Sequence, residues 1–266
     1  MCRLFGIIAN NPVDIHFSFT QAPNSMVCQS TWNPDGWGIG WYDNYSLKAH
    51  VFKEPISAEQ SKRLDKLTTN IKSKLMIAHI RKSTTGKIKL ENTHPFCCKN
   101  WIFAHNGSIS TYSMLRKKLL LPWFFEIKGE TDSEVYFYWL LQCIQNKNNL
   151  IAGIKSAILE IIESHKYSGL NFLLSDGMSL YSFRYGSDYH YYYSLFYLKR
   201  DTKSPPYLYF LSKETRQLIE YKCAKSEKAV LIASEKLTPD EDWREIPWGS
   251  LAVVQRDLSV QLISIL

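Results

Sequence analysis

Apolar positions along this chain change their period twice, dividing it into strands, then helices, then strands again. Arg3 to Ala9 alternates and is rich in branched residues, Trp37 to Tyr42 is aromatic and interrupted by glycine, and Leu75 to Ile80 is a short apolar run, so each predicts a strand. Ser57 to Ser73 has the polar, Lys-rich, Leu-spaced character of a surface helix, and Asn149 to His165 places Ile151, Ile154, Ile158, Ile161 and Ile162 on one stripe. Both read as helices laid on a sheet. Thr131-Asp132-Ser133-Glu134 matches a capping box and opens a heavily apolar helix over Asp132 to Gln145. Asn171 to Leu174 and Leu180 to Arg184 flank Ser-Asp-Gly, a hairpin signal. Further strands are predicted at Tyr207 to Leu211, Ala229 to Ala233, Leu251 to Gln255 and Val260 to Ile265.

No repeat, low-complexity tract or Gly/Ser linker offers a place to cut the chain, so one domain over residues 2–266 is the simplest organisation, with Met1 expected to be removed. Hydrophobic residues make up 45% and charged residues 21%, with 8 Trp, 16 Tyr and 13 Phe, which argues for a folded core. The formal charge is +7, but the longest basic cluster, Arg116 to Lys118, has three residues, and this argues against a nucleic-acid partner. Leu4 to Ala9 is too short for a secretory h-region and no segment has the length of a bilayer span, so the expectation is a cytoplasmic protein without a membrane partner. The six cysteines, at 2, 28, 97, 98, 143 and 223, follow neither zinc spacing nor a disulfide framework; no metal and no cofactor is expected. The aromatic run Tyr189 to Leu198 reads as sheet packing, with a partner surface as the alternative.

Cys2 stands apart because of its position. Removal of Met1 from a small second residue leaves a thiol and a free α-amine on one residue. An amine with a reference pKa of about 7.7 to 8.0 can take the thiol proton and return it to a leaving group. Alone, a cysteine at position 2 is a weak signal, but its neighbours strengthen it. Met1-Cys2-Arg3-Leu4-Phe5-Gly6-Ile7, Asp35-Gly36-Trp37-Gly38-Ile39-Gly40-Trp41-Tyr42, His79-Ile80-Arg81-Lys82-Ser83-Thr84-Thr85-Gly86, Asn92-Thr93-His94-Pro95-Phe96, Phe103-Ala104-His105-Asn106-Gly107-Ser108 and Gly129-Glu130-Thr131-Asp132-Ser133-Glu134 follow in order. Together they resemble the motifs of the class II glutamine amidotransferases, and Asn10, Pro12, Asp14-Ile15 and Phe17-Ser18-Phe19-Thr20, with Leu90 to Phe96, look closest to the stand-alone bacterial YafJ-type branch.

The resemblance implies an α+β fold, a four-layer αββα sandwich of the N-terminal-nucleophile hydrolase type with two antiparallel sheets between helical layers. It implies Cys2 as nucleophile, Asn106 and Gly107 as the oxyanion hole, Arg81 on the substrate α-carboxylate, Thr84 as a further substrate-binding residue, and Asp132 on the substrate ammonium. A planar guanidinium suits a carboxylate, and Asp132 can cap its helix and still face a ligand. Trp37, Gly38, His79, His94 and His105 are expected to line or support the pocket.

The implied reaction is attack on a γ-glutamyl amide, a γ-glutamyl thioester and release of ammonia. The implied substrate is glutamine or a γ-glutamyl compound, and either the ammonia goes to a separate synthase subunit or hydrolysis is itself the job. A γ-glutamyl peptide or small-thiol hydrolase with the same mechanism, and a non-catalytic glutamine-binding regulator, stay open as alternatives. Two departures bear on substrate: the better-known synthases carry His where Thr85 stands, and an arginine where this chain has Trp32-Asn33-Pro34. Both leave room for a substrate other than free glutamine.

Overall fold

A computed structural model of the chain describes residues 2–187, 192–200 and 228–266. The strands are β1 (Arg3–Val13), β2 (Trp37–Tyr42), β3 (Ala49–Glu54), β4 (Ser73–Ile80), β5 (Phe96–Cys98), β6 (Trp101–Ile109), β7 (Tyr167–Ser175), β8 (Leu180–Arg184), β9 (Phe196–Arg200), β10 (Ala229–Ala233), β11 (Arg244–Glu245), β12 (Ser250–Val254) and β13 (Val260–Ser264). The helices are α1 (Met26–Ser30), α2 (Leu64–Asn70), α3 (Tyr112–Lys117), α4 (Trp123–Glu126), α5 (Asp132–Lys147) and α6 (Leu150–Ser164), with a π-helical turn at Phe17–Gln21. Among the described residues the strands form a seven-stranded sheet, ordered β11-β9-β10-β1-β4-β2-β3, and a six-stranded sheet, ordered β13-β12-β8-β7-β6-β5. Every pairing is antiparallel.

Three apolar layers hold these elements together. Leu4, Ile8, Leu75, Ile77, Ile102, Ala104, Leu173 and Ala252 interleave between the two sheets. Phe5, Ile7, Trp37 and Ile39 point the other way and are covered by Phe19 of the π-turn, Met26 of α1 and Leu64 of α2. Phe103, Phe172 and Phe183 carry α5 and α6 through Tyr136, Phe137, Leu140, Ile154 and Ile158. The result is the expected helix-sheet-sheet-helix sandwich. Leu4 to Ala9 is buried at every position because β1 has the second sheet on one face and helices on the other; the run is apolar throughout rather than alternating. Each such Leu or Ile stabilises the fold by about 1.5–3 kcal/mol.

Several expectations need adjusting. The helix expected over Ser57 to Ser73 is broken: a 3-10 turn spans Ala58–Gln60, α2 begins only at Leu64, and Ser73 already belongs to β4. Ser61 causes the break, since its hydroxyl bonds the Glu54 carboxylate and accepts from Arg63 N (3.3 Å) in extended backbone. The capping box on α5 is half formed. Thr131 Oγ1 accepts from Glu134 N at 3.2 Å, but the Glu134 carboxylate takes the N–H groups of Lys128 (3.0 Å) and Gly129 (2.7 Å) instead of Thr131. The strand expected at Tyr207 to Leu211, the start of the aromatic run (189–191) and Cys223 lie outside the described residues.

A seam of three buried histidines joins the sheets to α5. His79 and His94 pack ring against ring, centroids 4.2 Å apart and planes tilted by 33°. His79 Nε2 donates to the His105 carbonyl at 3.2 Å, leaving Nδ1 unpartnered, and neither ring nitrogen of His94 has a partner among the described residues. His105 accepts from the Ser133 hydroxyl at Nδ1 (2.9 Å) and donates from Nε2 to Gly169 O (3.0 Å). Burial is the main cause holding all three rings neutral: it pushes His79 from 6.5 to about 3, His94 well below its ordinary value, and His105 down as well.

An unfolded chain regains the ordinary histidine value, so below it the unfolded state binds protons that the folded state refuses. Stability is therefore complete above about pH 7 and drains as pH falls, by about 2 kcal/mol for His79 alone between pH 7 and pH 5. Thermal melts over that range are expected to show a steep fall in Tm, shallower in a His94→Asn protein; a flat wild-type profile would contradict a neutral seam.

Candidate active site

Cys2 immediately precedes β1, the strand held between β4 and β10. Leu4 N donates to Ser234 Oγ and Leu4 O accepts from Ser234 N, both at 3.0 Å, while Arg3 pairs with Glu235 at 3.2 Å. These contacts aim the chain end at the turn that follows β4. There the Cys2 sulfur accepts from Lys82 N (3.2 Å) and its thiol donates to Lys82 O (3.3 Å). That turn is itself strapped down. Asp35 N donates to Arg81 O (3.1 Å), Arg81 N to Gly36 O (2.7 Å), and Ser83 N to Asp35 Oδ2 (2.7 Å). Burial raises the Cys2 pKa, opposed by the Lys82 backbone and the Arg81 charge and reinforced by Asp132. The resting thiol is therefore protonated, and Arg81 and Asp132 lie within electrostatic reach of it.

Arg81 is 2% exposed. Its Nη1 donates to Lys87 O (3.1 Å), and its Nη2 to Ser83 Oγ (3.1 Å), Thr85 O (2.9 Å) and Gly86 O (3.3 Å). The guanidinium thus closes its own loop through Nη1 and Nη2, while Nε makes no hydrogen bond among the described residues. Thr84 is exposed on that loop and makes no hydrogen bond among the described residues. Asp132, at the start of α5, is buried. Its carboxylate is not wholly free, because Oδ2 accepts from Ile109 N at 2.7 Å. That N–H is available because β6 shifts register against β7 between Ser108 and Ile109.

Asn106 and Gly107 lie within β6, paired with Asn171 and Leu170, and not in a turn. Asn106 is 1% exposed, and its Nδ2 has no hydrogen-bond partner among the described residues. A buried amide donor left unmade is costly, so an acceptor belongs there. Gly107 has φ +151° and a Cβ would fall 1.9 Å from Gly169 O, so only glycine fits. Gly38 is equally constrained, since a Cβ would meet His94 O at 2.4 Å. His79, His94 and His105 form the seam behind the site. Trp37 is elsewhere: it packs on Phe19 and Phe52 under the outer helices, with Nε1 donating to Glu54, because β2 turns it to the face opposite the second sheet. Two residues near the sulfur escaped sequence reasoning. Lys82 acts through its main chain, which leaves no side-chain signature, and Tyr193 was hidden within a run of tyrosines; its phenol is near enough for the Cys2 charge to act on it.

Comparison with known proteins bears on the family and the fold. Residues 1–264 match the family described as glutamine amidotransferases class-II. The chain is 32% identical over 262 residues to YafJ of Escherichia coli, whose own name gives glutamine amidotransferase activity as provisional, covering 94% of this chain and 95% of that one. It is 34% identical over 264 residues to MJ1515 of Methanocaldococcus jannaschii, a name that assigns no activity, covering 95% and 69%. The fold superposes on glutamine phosphoribosylpyrophosphate amidotransferase from B. subtilis with a TM-score of 0.64 at 17% identity, covering all (100%) of this chain and 49% of that one. With its antiparallel sheets sandwiched between helices and its sequence matched almost from end to end, the chain belongs to the class II glutamine amidotransferases.

Proposed function

We propose that residues 2–266 work as one amidohydrolase domain in which Cys2, freed of Met1, is the nucleophile. The observation that carries this reading is the buried, unpartnered Nδ2 of Asn106, on a strand packed against β1 and β4. The Cys2 α-amine takes the thiol proton, and the thiolate adds to the γ-carbonyl of the substrate. The resulting oxyanion is held by Asn106 Nδ2–H and Gly107 N–H. Collapse expels ammonia, which carries away the proton returned by the amine, and leaves a γ-glutamyl thioester on Cys2. Water, deprotonated by the same amine, then releases glutamate and restores the thiol.

Asp132 Oδ1, the oxygen that Ile109 does not occupy, receives the substrate ammonium. Arg81 attracts the α-carboxylate. The His79–His94–His105 seam stays neutral and acts as support. A γ-glutamyl peptide or small-thiol amide would follow the same steps with an amine in place of ammonia. The exposure of Lys82 and Thr84 leaves the loop open enough for that larger leaving group.

Glutamate release from glutamine and from γ-glutamyl peptides is the direct assay. Cys2→Ala is expected to abolish turnover with little change in substrate affinity, Asn106→Ala to lower kcat by about 10²–10³, and Asp132→Ala chiefly to raise KM. Full activity in the Cys2→Ala protein would end this reading. Gly107→Ala is expected to lower kcat at least as far as Asn106→Ala and to lower Tm, because its Cβ collides with the β7 backbone; wild-type kinetics in that protein would mean that β6 and β7 are spaced differently.

A further inference from the structure

Tyr193 occupies a space that two glycines leave open. A Cβ on Gly169 would lie 2.2 Å from its ring Cε1, and one on Gly186 would lie 2.5 Å from Cδ2. The two glycines face each other across a β-bridge, so the ring rests on both strands of the hairpin at once. Gly169 is also the residue against which Gly107 is packed, and its carbonyl receives His105 Nε2. The ring therefore adjoins the same residue on which Gly107 packs.

Two further connections run the same way. Burial raises the Tyr193 pKa and the nearby Ser168 hydroxyl opposes it; Ser168 Oγ bonds Ser108 Oγ at 2.8 Å, one residue beyond Gly107. On the main-chain side, Tyr193 O accepts from Asn171 Nδ2 at 3.1 Å and from Arg184 Nε at 2.9 Å. Asn171 is the register partner of Asn106. Side chain and carbonyl of one tyrosine therefore reach both residues read above as oxyanion donors, and Tyr193 is only 6% exposed.

We propose that Tyr193 is a positioning residue for the oxyanion donors, setting Gly107 through Gly169 and the Ser168–Ser108 pair, and Asn106 through Asn171. The proposal rests on the reading of Asn106 and Gly107 as those donors. Donors of this kind work only when held within a few tenths of an ångström of the developing charge, so a loosened support shows in kcat before it shows in binding.

Tyr193→Phe keeps the ring between the glycines and removes only the phenol oxygen. It is expected to lower kcat for the substrate turned over about tenfold, with KM within about twofold and Tm unchanged. In a Ser108→Ala background the same change is expected to remove less than about twofold more, because the phenol reaches Gly107 through the Ser168–Ser108 pair already broken there. Wild-type kcat in Tyr193→Phe, or losses that multiply in the double variant, would overturn the proposal.

A second measurement does not depend on turnover. In two-dimensional 1H–15N spectra, Tyr193→Phe is expected to shift the Gly107 amide and the Asn106 side-chain amide while leaving β12 and β13 resonances in place. If the wild-type protein hydrolyses nothing, the function proposed above fails, and these shifts still decide the role of Tyr193. Unmoved Gly107 and Asn106 resonances would overturn it.

Discussion

The sulfur of Cys2 is bracketed by the backbone of a single residue, Lys82, whose N–H points at it and whose carbonyl receives its hydrogen. On the reading proposed above Cys2 is the nucleophile, and a nucleophile beside a chain end, ordinarily the least ordered part of a domain, needs anchoring on several sides. Ser234 clamps Leu4 from β10's end, Asp35 and Gly36 clamp residues 81–83, and Arg81 closes the loop beyond. Each anchor comes from a different segment. The order of strands β10-β1-β4-β2 in one sheet is what brings those segments side by side.

The second sheet supplies what the first lacks. β6 carries Asn106 and Gly107, and its register shift frees the Ile109 N–H for Asp132, so α5 and β6 are locked together. Among the described residues, the buried polar atoms without partners include Asn106 Nδ2, His79 Nδ1 and both ring nitrogens of His94. Unpaired buried groups are disfavoured and persist where the surrounding packing holds them. On the account given above, Asn106 Nδ2 gains its acceptor only as the reaction creates one.

The sequence disclosed the frame more readily than the joints. β2 and β10 were legible to the residue because aromatic and branched residues ended at clear polar or turn boundaries. α6 was legible because its isoleucines keep helical spacing and Asn149 caps it. β6 was not: His105-Asn106-Gly107-Ser108 has poor strand propensity and reads as a turn, and only pairing with β7 makes it extended. Among the site residues, order and spacing of the motifs singled out Cys2, Arg81, Asn106, Gly107 and Asp132. The Lys82 bracket, the partial occupation of Asp132 and Arg81 by their own backbone, and the displacement of Trp37 to the outer core depend on tertiary contacts that leave no trace in a linear pattern.

The most direct test of Cys2 as an N-terminal nucleophile is the intact mass of the purified protein before and after treatment with 6-diazo-5-oxo-norleucine, a glutamine-shaped electrophile. The account predicts a chain lacking Met1 that gains one adduct, mapped to Cys2 and absent from the Cys2→Ala protein. A processed chain that gains no adduct on Cys2, or one that turns over substrate with Met1 still attached, would contradict it.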